Sequence, residues 1–212
     1  MSNFQASEEE NKLIYIGDPM CSWCYGFGPE ITQVKRELPP NIGFQVVVGG
    51  LRPHGTETMT KLGDFLQSHW QEINEKTGQP FKYEILKNKD FIYDTEPACR
   101  AVVTARNMDA TKELLFFKAI QTAFYANNHN TNLTKTYVDL AGTFGFDKVA
   151  FEKQFLSEEM KAATAADFEL SGQFGVNSFP TVILKKGDEY FMIGRGYVEA
   201  EKMMATIGEA MK

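Results

Sequence analysis

The placement of strand-like and helix-like patterns along the 212 residues constrains the fold more than any other feature of the chain. Strand signals stand only near its two ends. Lys12-Leu13-Ile14-Tyr15-Ile16-Gly17 is a short, mostly apolar run. Asp18-Pro19 terminates it, because proline cannot continue a central strand. Over residues 22–38 the apolar side chains Trp23, Phe27, Ile31, Val34 and Leu38 recur at three- and four-residue steps, which predicts a helix. Pro39-Pro40 stops it. Residues 41–49 read as a second strand, with Phe44, Val46, Val47 and Val48, closed by Gly49-Gly50. Together these make a β-α-β unit, with parallel strands and a right-handed crossover. From residue 51 to 165 helical patterns dominate, over 59–74, 96–107, 110–126, 133–144, 147–155 and 157–174. Thr95 is the expected N-cap of the second, with Pro97 in its first turn. Strand character returns at Thr181-Val182-Ile183-Leu184. A turn at Lys186-Gly187-Asp188-Glu189 and a second arm over 190–193 complete a hairpin. A last helix is expected over 199–211.

Two strand-bearing ends that flank a helical block must come together if their strands are to share one sheet. The order resembles an α/β thioredoxin fold with an inserted all-helical domain. Residues 1–50 then form the first part of the thioredoxin-like domain, 51–165 the helical insertion domain and 166–212 the second part. The composition, 43% hydrophobic and 24% charged, excludes collagen-like, low-complexity and disordered classes. No apolar run approaches the roughly 18–20 residues needed to span a bilayer. The net charge, 22 − 28 = −6, argues against nucleic acid or an anionic membrane as partner. The opening segment is polar and acidic, without the cationic and apolar regions of a secretory signal. A cytoplasmic monomer is expected, with Glu8-Glu9-Glu10 as a solvated terminus.

Three cysteines cannot all pair, which rules out a disulfide-stapled scaffold. Two of them form Cys21-Ser22-Trp23-Cys24. Alone, this spacing fits a zinc half-site, a redox pair or coincidence. A zinc site needs further ligands, and Cys99, His54, His69 and His129 offer no second paired spacing, so no metal is expected. The strand-to-helix junction favours redox chemistry. A helix N-terminus carries unsatisfied N–H groups and partial positive charge, which favour a thiolate over a thiol at Cys21. Cys24, one turn inside, is expected to be the more buried. Cys21 then attacks or receives a substrate sulfur, and Cys24 resolves the mixed disulfide. Pro29 is expected to kink the helix. Before the third strand stands Ser178-Phe179-Pro180-Thr181. An X-Pro bond tolerates the cis form, which would expose the backbone of Phe179 to an extended peptide.

The string Asp18-Pro19-Met20-Cys21-Ser22-Trp23-Cys24-Tyr25-Gly26-Phe27 resembles the active-site segment of the DsbA-like family of the thioredoxin superfamily, which includes FrnE-related proteins. Gly175-Val176-Asn177-Ser178-Phe179-Pro180-Thr181 resembles that family's cis-proline loop, and the helical block its inserted domain. The resemblance implies a protein-disulfide oxidoreductase or isomerase. Its catalytic residues would be Cys21 and Cys24, and its substrate-binding residues Trp23, Ser178, Phe179 and Pro180. It implies no required cofactor, glutathione as a thiol partner, a thiol electron donor, and a protein or small molecule carrying a disulfide or thiol as substrate. The dipeptide Ser22-Trp23 lacks the histidine of strongly oxidising members, which points to reduction or isomerisation. Two other functions fit the same fold. One is a glutathione-dependent transferase or isomerase, whose activity survives Cys24→Ser. The other is a client-binding adaptor, whose function survives Cys21→Ser. Blander roles remain for single residues. Cys99 reads as a buried structural thiol and Asp18 as part of a turn. Trp23 divides evenly between packing and substrate contact, and Phe116, Phe117, Phe124 and Tyr125 read as helical core.

Overall fold

Strand β1 (Asn11–Gly17) is buried from Leu13 onward. It is an unbroken apolar run, the pattern of a central strand covered on both faces. The computed structural model describes residues 11–212; residues 1–10, including the Glu8-Glu9-Glu10 run, lie outside the described residues. Strand β2 (Gly43–Val48) pairs parallel to β1, with Tyr15 opposite Val46. On the other side β3 (Thr181–Lys186) runs antiparallel to β1, and β4 (Glu189–Arg195) pairs antiparallel to β3. The order β2-β1-β3-β4 joins the two ends of the chain in one sheet. Alternation divides the core. Ile14, Ile16, Val47 and Ile183 pack with Leu170, Phe174, Val176 and Phe179 on one face. Leu13, Tyr15, Val46, Val48 and Leu184 join the larger core on the other.

The expected helix over 22–38 is two helices, α1 (Ser22–Gly26) and α2 (Gly28–Glu37), joined at Phe27. Pro29 has no N–H to give the carbonyl of Tyr25, so the chain restarts instead of kinking. Phe27 N–H bonds back to Trp23, and Phe27 C=O accepts from Ile31. Proline at the start of α2 sits where its missing donor costs nothing.

Between β2 and β3 stand α3 (Met59–Thr77), α4 (Glu96–Met108), α5 (Glu113–Gln121), α6 (Thr134–Thr143), α7 (Lys148–Phe155) and α8 (Glu158–Gln173). Residue 165, where the sequence pattern was divided, falls inside α8. α9 (Ala200–Ala210) closes the chain and packs beside α2. Thr95 stands at the N-cap of α4 without capping it. Its hydroxyl accepts from Arg52 N–H at 3.0 Å, while Asp94 accepts from Glu96 N–H at 3.0 Å. The pattern over 110–126 is likewise not one α-helix. A 3-10 turn at Ala110–Lys112 leads into α5, and a π turn, Thr122–Ala126, ends it. The wider turn lets the successive residues Phe124 and Tyr125 both face the core. There Trp70 meets them at centroid distances of 5.7 and 5.0 Å.

The insertion also seals the β2 edge. Val46 N–H donates to Glu113 at 3.1 Å and Val48 N–H to Asp167 at 3.0 Å. Arg106 donates to Val46 C=O, to Glu113 and, through two nitrogens, to Asp167, all between 2.9 and 3.2 Å. Three side chains thus take the hydrogen-bonding place of a fifth strand, and the unpaired edge is covered.

Candidate active site

The carboxyl end of β1 runs directly into the dithiol. Asp18, fully buried, organises the loop. Its carboxylate accepts from Met20 N–H at 2.8 Å, from Leu51 N–H at 2.6 Å and from the Cys99 thiol at 3.4 Å. Burial pushes the Asp18 carboxyl up, against the opposing pull of these donors. Asp18 is therefore more than a turn residue: it ties β1, the segment after β2 and α4 to one point. Cys99 is spent on this contact and is buried. Its thiol is pushed well up, by burial first and then by Asp18. Tyr93 adds a hydroxyl bond to Met20 C=O. A backbone bond from Cys21 N–H to Asp18 C=O, 3.0 Å, turns the chain into α1.

Cys21 is the N-cap of α1, and its carbonyl accepts from Tyr25 N–H at 3.0 Å. Its side chain is 6% exposed and borders a cleft; Cys24, one turn later, is completely buried. Both stand as free thiols. Burial pushes the Cys24 thiol well above the ordinary thiol range, and the adjacent Cys21 adds to the rise. The two sulfurs therefore differ, one at the surface of the cleft and one held protonated behind it.

Across the cleft lies the loop before β3. Cys21 Sγ is 3.7 Å from the carbonyl oxygen of Phe179. The Phe179–Pro180 peptide bond is cis. Pro180 C=O accepts from Gly196 N–H at 2.8 Å, and Ser178 C=O from the Thr181 hydroxyl at 2.8 Å, which ties the loop at both ends to the hairpin. The Phe179 ring lies against Gly49 so closely that a Cβ there would stand 2.1 Å from it. A glycine at 49 thus leaves the space that the Phe179 ring occupies.

The cleft has a volume of about 330 Å³. Cys21, Ser22 and Trp23 form one wall, Asn177, Ser178 and Phe179 another. The insertion supplies the rest, through Leu51 and Arg52, through Phe65, Leu66 and His69 of α3, and through Tyr93. Trp23 is half-buried: its ring meets His69 edge-on at 6.0 Å, and Lys76 stands 5.4 Å from both the Trp23 and Tyr197 rings. Of the sequence-derived site residues, Cys21, Trp23, Ser178 and Phe179 meet around the cleft, Cys24 lies behind it, and Pro180 anchors the loop from beneath. Phe65 and Tyr93 carry no signal in the sequence that places them here, and His69, weighed there only as a metal ligand, lines the cleft instead. Phe65 is an exposed apolar side chain, 61% accessible, on α3. Phe116, Phe117, Phe124 and Tyr125 are all core.

A sheet of this order, with a dithiol at the β1–α1 junction facing the loop before β3, defines the thioredoxin class. The match to a thioredoxin family model, Thioredoxin_5, over residues 14–192 makes the chain a member of that family. A solved structure of a candidate protein disulfide isomerase from Nitrosomonas europaea is 34% identical, with a TM-score of 0.86 over 95% of this chain and 97% of that one. The cytosolic disulfide reductase DsbM of Pseudomonas aeruginosa shares the fold at 23% identity and a TM-score of 0.79, covering 94% and 98% of the two chains. The same reductase solved with glutathione gives 0.77 over the same shares. No curated protein sequence matches. The chain is thus a DsbA-like thiol-disulfide oxidoreductase by family, with its helical domain between β2 and β3. No helix of the described residues is long and apolar enough to cross a membrane.

Proposed function

We propose that this chain reduces or isomerises disulfides by a two-cysteine exchange. The Cys21 thiolate attacks a sulfur of a substrate disulfide R–S–S–R′. A Cys21–S–S–R bond forms and R′ leaves as a thiolate, which takes a proton from solvent. Cys24 then loses its proton to solvent and attacks the Cys21 sulfur. A Cys21–Cys24 disulfide forms and R leaves as thiol. The substrate gains two electrons and the dithiol loses two. A thiol donor returns the pair to the reduced state. Isomerisation stops after the first step, when a substrate thiol displaces Cys21. The observation that carries this reading is the facing pair of Cys21 Sγ and Phe179 C=O at 3.7 Å, beside a cleft from which Cys24 is shielded. An extended substrate at Cys21 would run along the backbone of Ser178 and Phe179, with its side chains against Trp23 and Phe65.

Glutathione is the thiol partner we assign. The DsbM structure solved with glutathione and a cleft volume within the ~300–1,000 Å³ of small-ligand sites support it. A cytoplasmic address is supported by the cytosolic description of DsbM, and it agrees with a reductive direction. The test is turbidimetric insulin reduction by the chain and by its Cys21→Ser and Cys24→Ser forms. Loss of turnover in both is expected. Turnover that needs Cys21 alone would move the assignment to glutathione chemistry, and activity without Cys21 would remove it.

A further inference from the structure

Helix α4 carries two arginines whose surroundings differ. Arg106 is filled: Glu113 and Asp167 share it, and it also donates to Val46 C=O. Arg100 is buried more deeply, 9% exposed, and is not filled. Its guanidinium stands over the Phe155 ring at 4.4 Å. One carboxylate approaches it, with Glu96 Oε1 3.1 Å from Nε. That approach lacks the direction of a hydrogen bond, and the buried Nε has no hydrogen-bond partner among the described residues. A guanidinium offers five N–H donors in a flat fork, and a buried donor left unused costs free energy.

Arg100 and Glu96 form one side of a groove of about 610 Å³, larger than the thiol cleft. The facing side is one face of α8, where Ala162, Ala165 and Phe168 leave an open apolar wall. At Arg106, α8 supplies the carboxylate of Asp167; along the groove it sets two alanines across from Arg100. Glu158 does not take that place. It pairs with Lys161 at 2.7 Å, and its side chain is 88% exposed. His54 stands at the groove in left-handed backbone, φ 59°, with its N–H held by Asp94 at 2.8 Å. The pairs Arg100–Glu96 and Lys161–Glu158 balance each other's charge. The groove therefore offers unused donors rather than the surplus of charge that a dianion would need.

We propose that this groove binds a small organic acid, its carboxylate taking the donors of Arg100 and its apolar body lying along Ala162, Ala165 and Phe168. One guanidinium serving two carboxylates is the arrangement that Arg106 already shows on the same helix. A contact of this kind is charge-assisted and, in the fork geometry, directional. The volume lies within the ~300–1,000 Å³ of small-ligand sites. The site does not depend on the exchange chemistry. The segment after β2 borders both cavities, with Leu51 and Arg52 at the thiol cleft and His54 at the groove.

The test titrates 3-phenylpropionate, 3-phenylpropionamide and inorganic phosphate into the full chain, followed by calorimetry and by the signals of isotope-labelled alanine methyl groups. The acid is expected to bind with a dissociation constant of about 1 mM or tighter and to shift the Ala162 and Ala165 signals. The amide, which brings no charge, should bind about tenfold more weakly or worse. Arg100→Gln should weaken the acid by about 10- to 100-fold. That change also takes the cation from Glu96 and costs stability, so Ala165→Leu is measured beside it. Ala165→Leu leaves both charges in place and fills the groove; it should abolish the alanine shifts at an unchanged melting temperature. Phe65→Ala, in the thiol cleft, should bind the acid as the parent does. Absence of saturable binding to the parent, equal binding of acid and amide, or full binding by Ala165→Leu would overturn the site. Binding lost in Phe65→Ala and kept in Arg100→Gln would place the probe in the thiol cleft and overturn it too. Phosphate held as tightly as the acid would mean a bare anion contact without the apolar wall, which likewise contradicts the proposal.

Discussion

The β2 edge and the carboxyl end of β1 both bury ionisable groups in the same sheet, and they treat them oppositely. At the edge, Glu113 and Asp167 face Arg106, and each also accepts a strand N–H. One guanidinium is shared by two carboxylates, and each carboxylate also takes a backbone N–H. At the end of β1, Asp18 is answered by two backbone N–H groups and a thiol. The compensating groups there are neutral dipoles. An ion cluster tied to a strand edge serves architecture. A buried carboxyl and buried thiols without a cation beside them are pushed toward their protonated forms. The helical insertion contributes to both: Arg106, Glu113 and Asp167 to the first, Cys99 and Tyr93 to the second.

Perturbing each region separately should pull activity and stability apart. The largest effect is expected from Cys21→Ser. Insulin reduction should fall to the uncatalysed rate while the melting temperature changes little, since a buried thiol is exchanged for a hydroxyl of similar size. Retained turnover would break the comparison at its functional end. Next comes Arg106→Ala, which leaves two carboxylates facing each other at the sheet edge. A loss of about 3–5 kcal/mol in urea unfolding is expected. Its pH dependence has a definite sign. Burial already raises the Glu113 carboxyl, and loss of Arg106 raises it further. The native variant then binds more protons than its unfolded chain, so its stability should be fullest below the ordinary carboxylate range and fall as pH rises through the raised value. A pH-independent loss would show that the cluster's charges do not carry the effect.

Asp18→Asn should cost less, about 2–3 kcal/mol, because the amide turns a donor toward one of the two N–H groups that the carboxylate accepts. This variant sharpens the contrast, since it loosens the loop that carries Cys21 and should slow insulin reduction as well as destabilise. Unchanged kinetics would confine Asp18 to architecture. The smallest effect is expected from Lys76→Ala. It removes a cation over the Trp23 and Tyr197 rings, worth about 0.5–1 kcal/mol at an exposed site, and should leave the exchange rate within twofold.

What the sequence disclosed divides along the same line. β1, both hairpin arms and the Cys21–Cys24 junction follow from short-range patterns: an apolar run, a proline stop and a turn. The meeting of Pro180 with Cys21 was legible because each motif carries its own local signature. The β2 edge was not. Arg106, Glu113 and Asp167 look like ordinary solvated charges on three helices, and only the packing of those helices turns them toward Val46 and Val48. The split of the first helix was half legible. Pro29 announced a disturbance, but whether a proline kinks or restarts a helix depends on how the flanking turn packs, here with Phe27 under Tyr15. The π turn at Thr122–Ala126 left no signature, because its residues serve an α-helix equally well. Phe65 and His69 entered the cleft through the docking of α3, a long-range event.

The central claim is that Cys21 forms the bond to substrate and Cys24 breaks it. Its most direct test is to expose Cys24→Ser protein to glutathione disulfide and to insulin, and to map the adducts by mass spectrometry after alkylation of free thiols. The account predicts a mixed disulfide on Cys21 that persists in the variant, with Cys99 unmodified, and its rapid conversion to the Cys21–Cys24 disulfide in the parent. An adduct on Cys24 or Cys99 in the parent, or a variant that reduces insulin as fast as the parent, would contradict it.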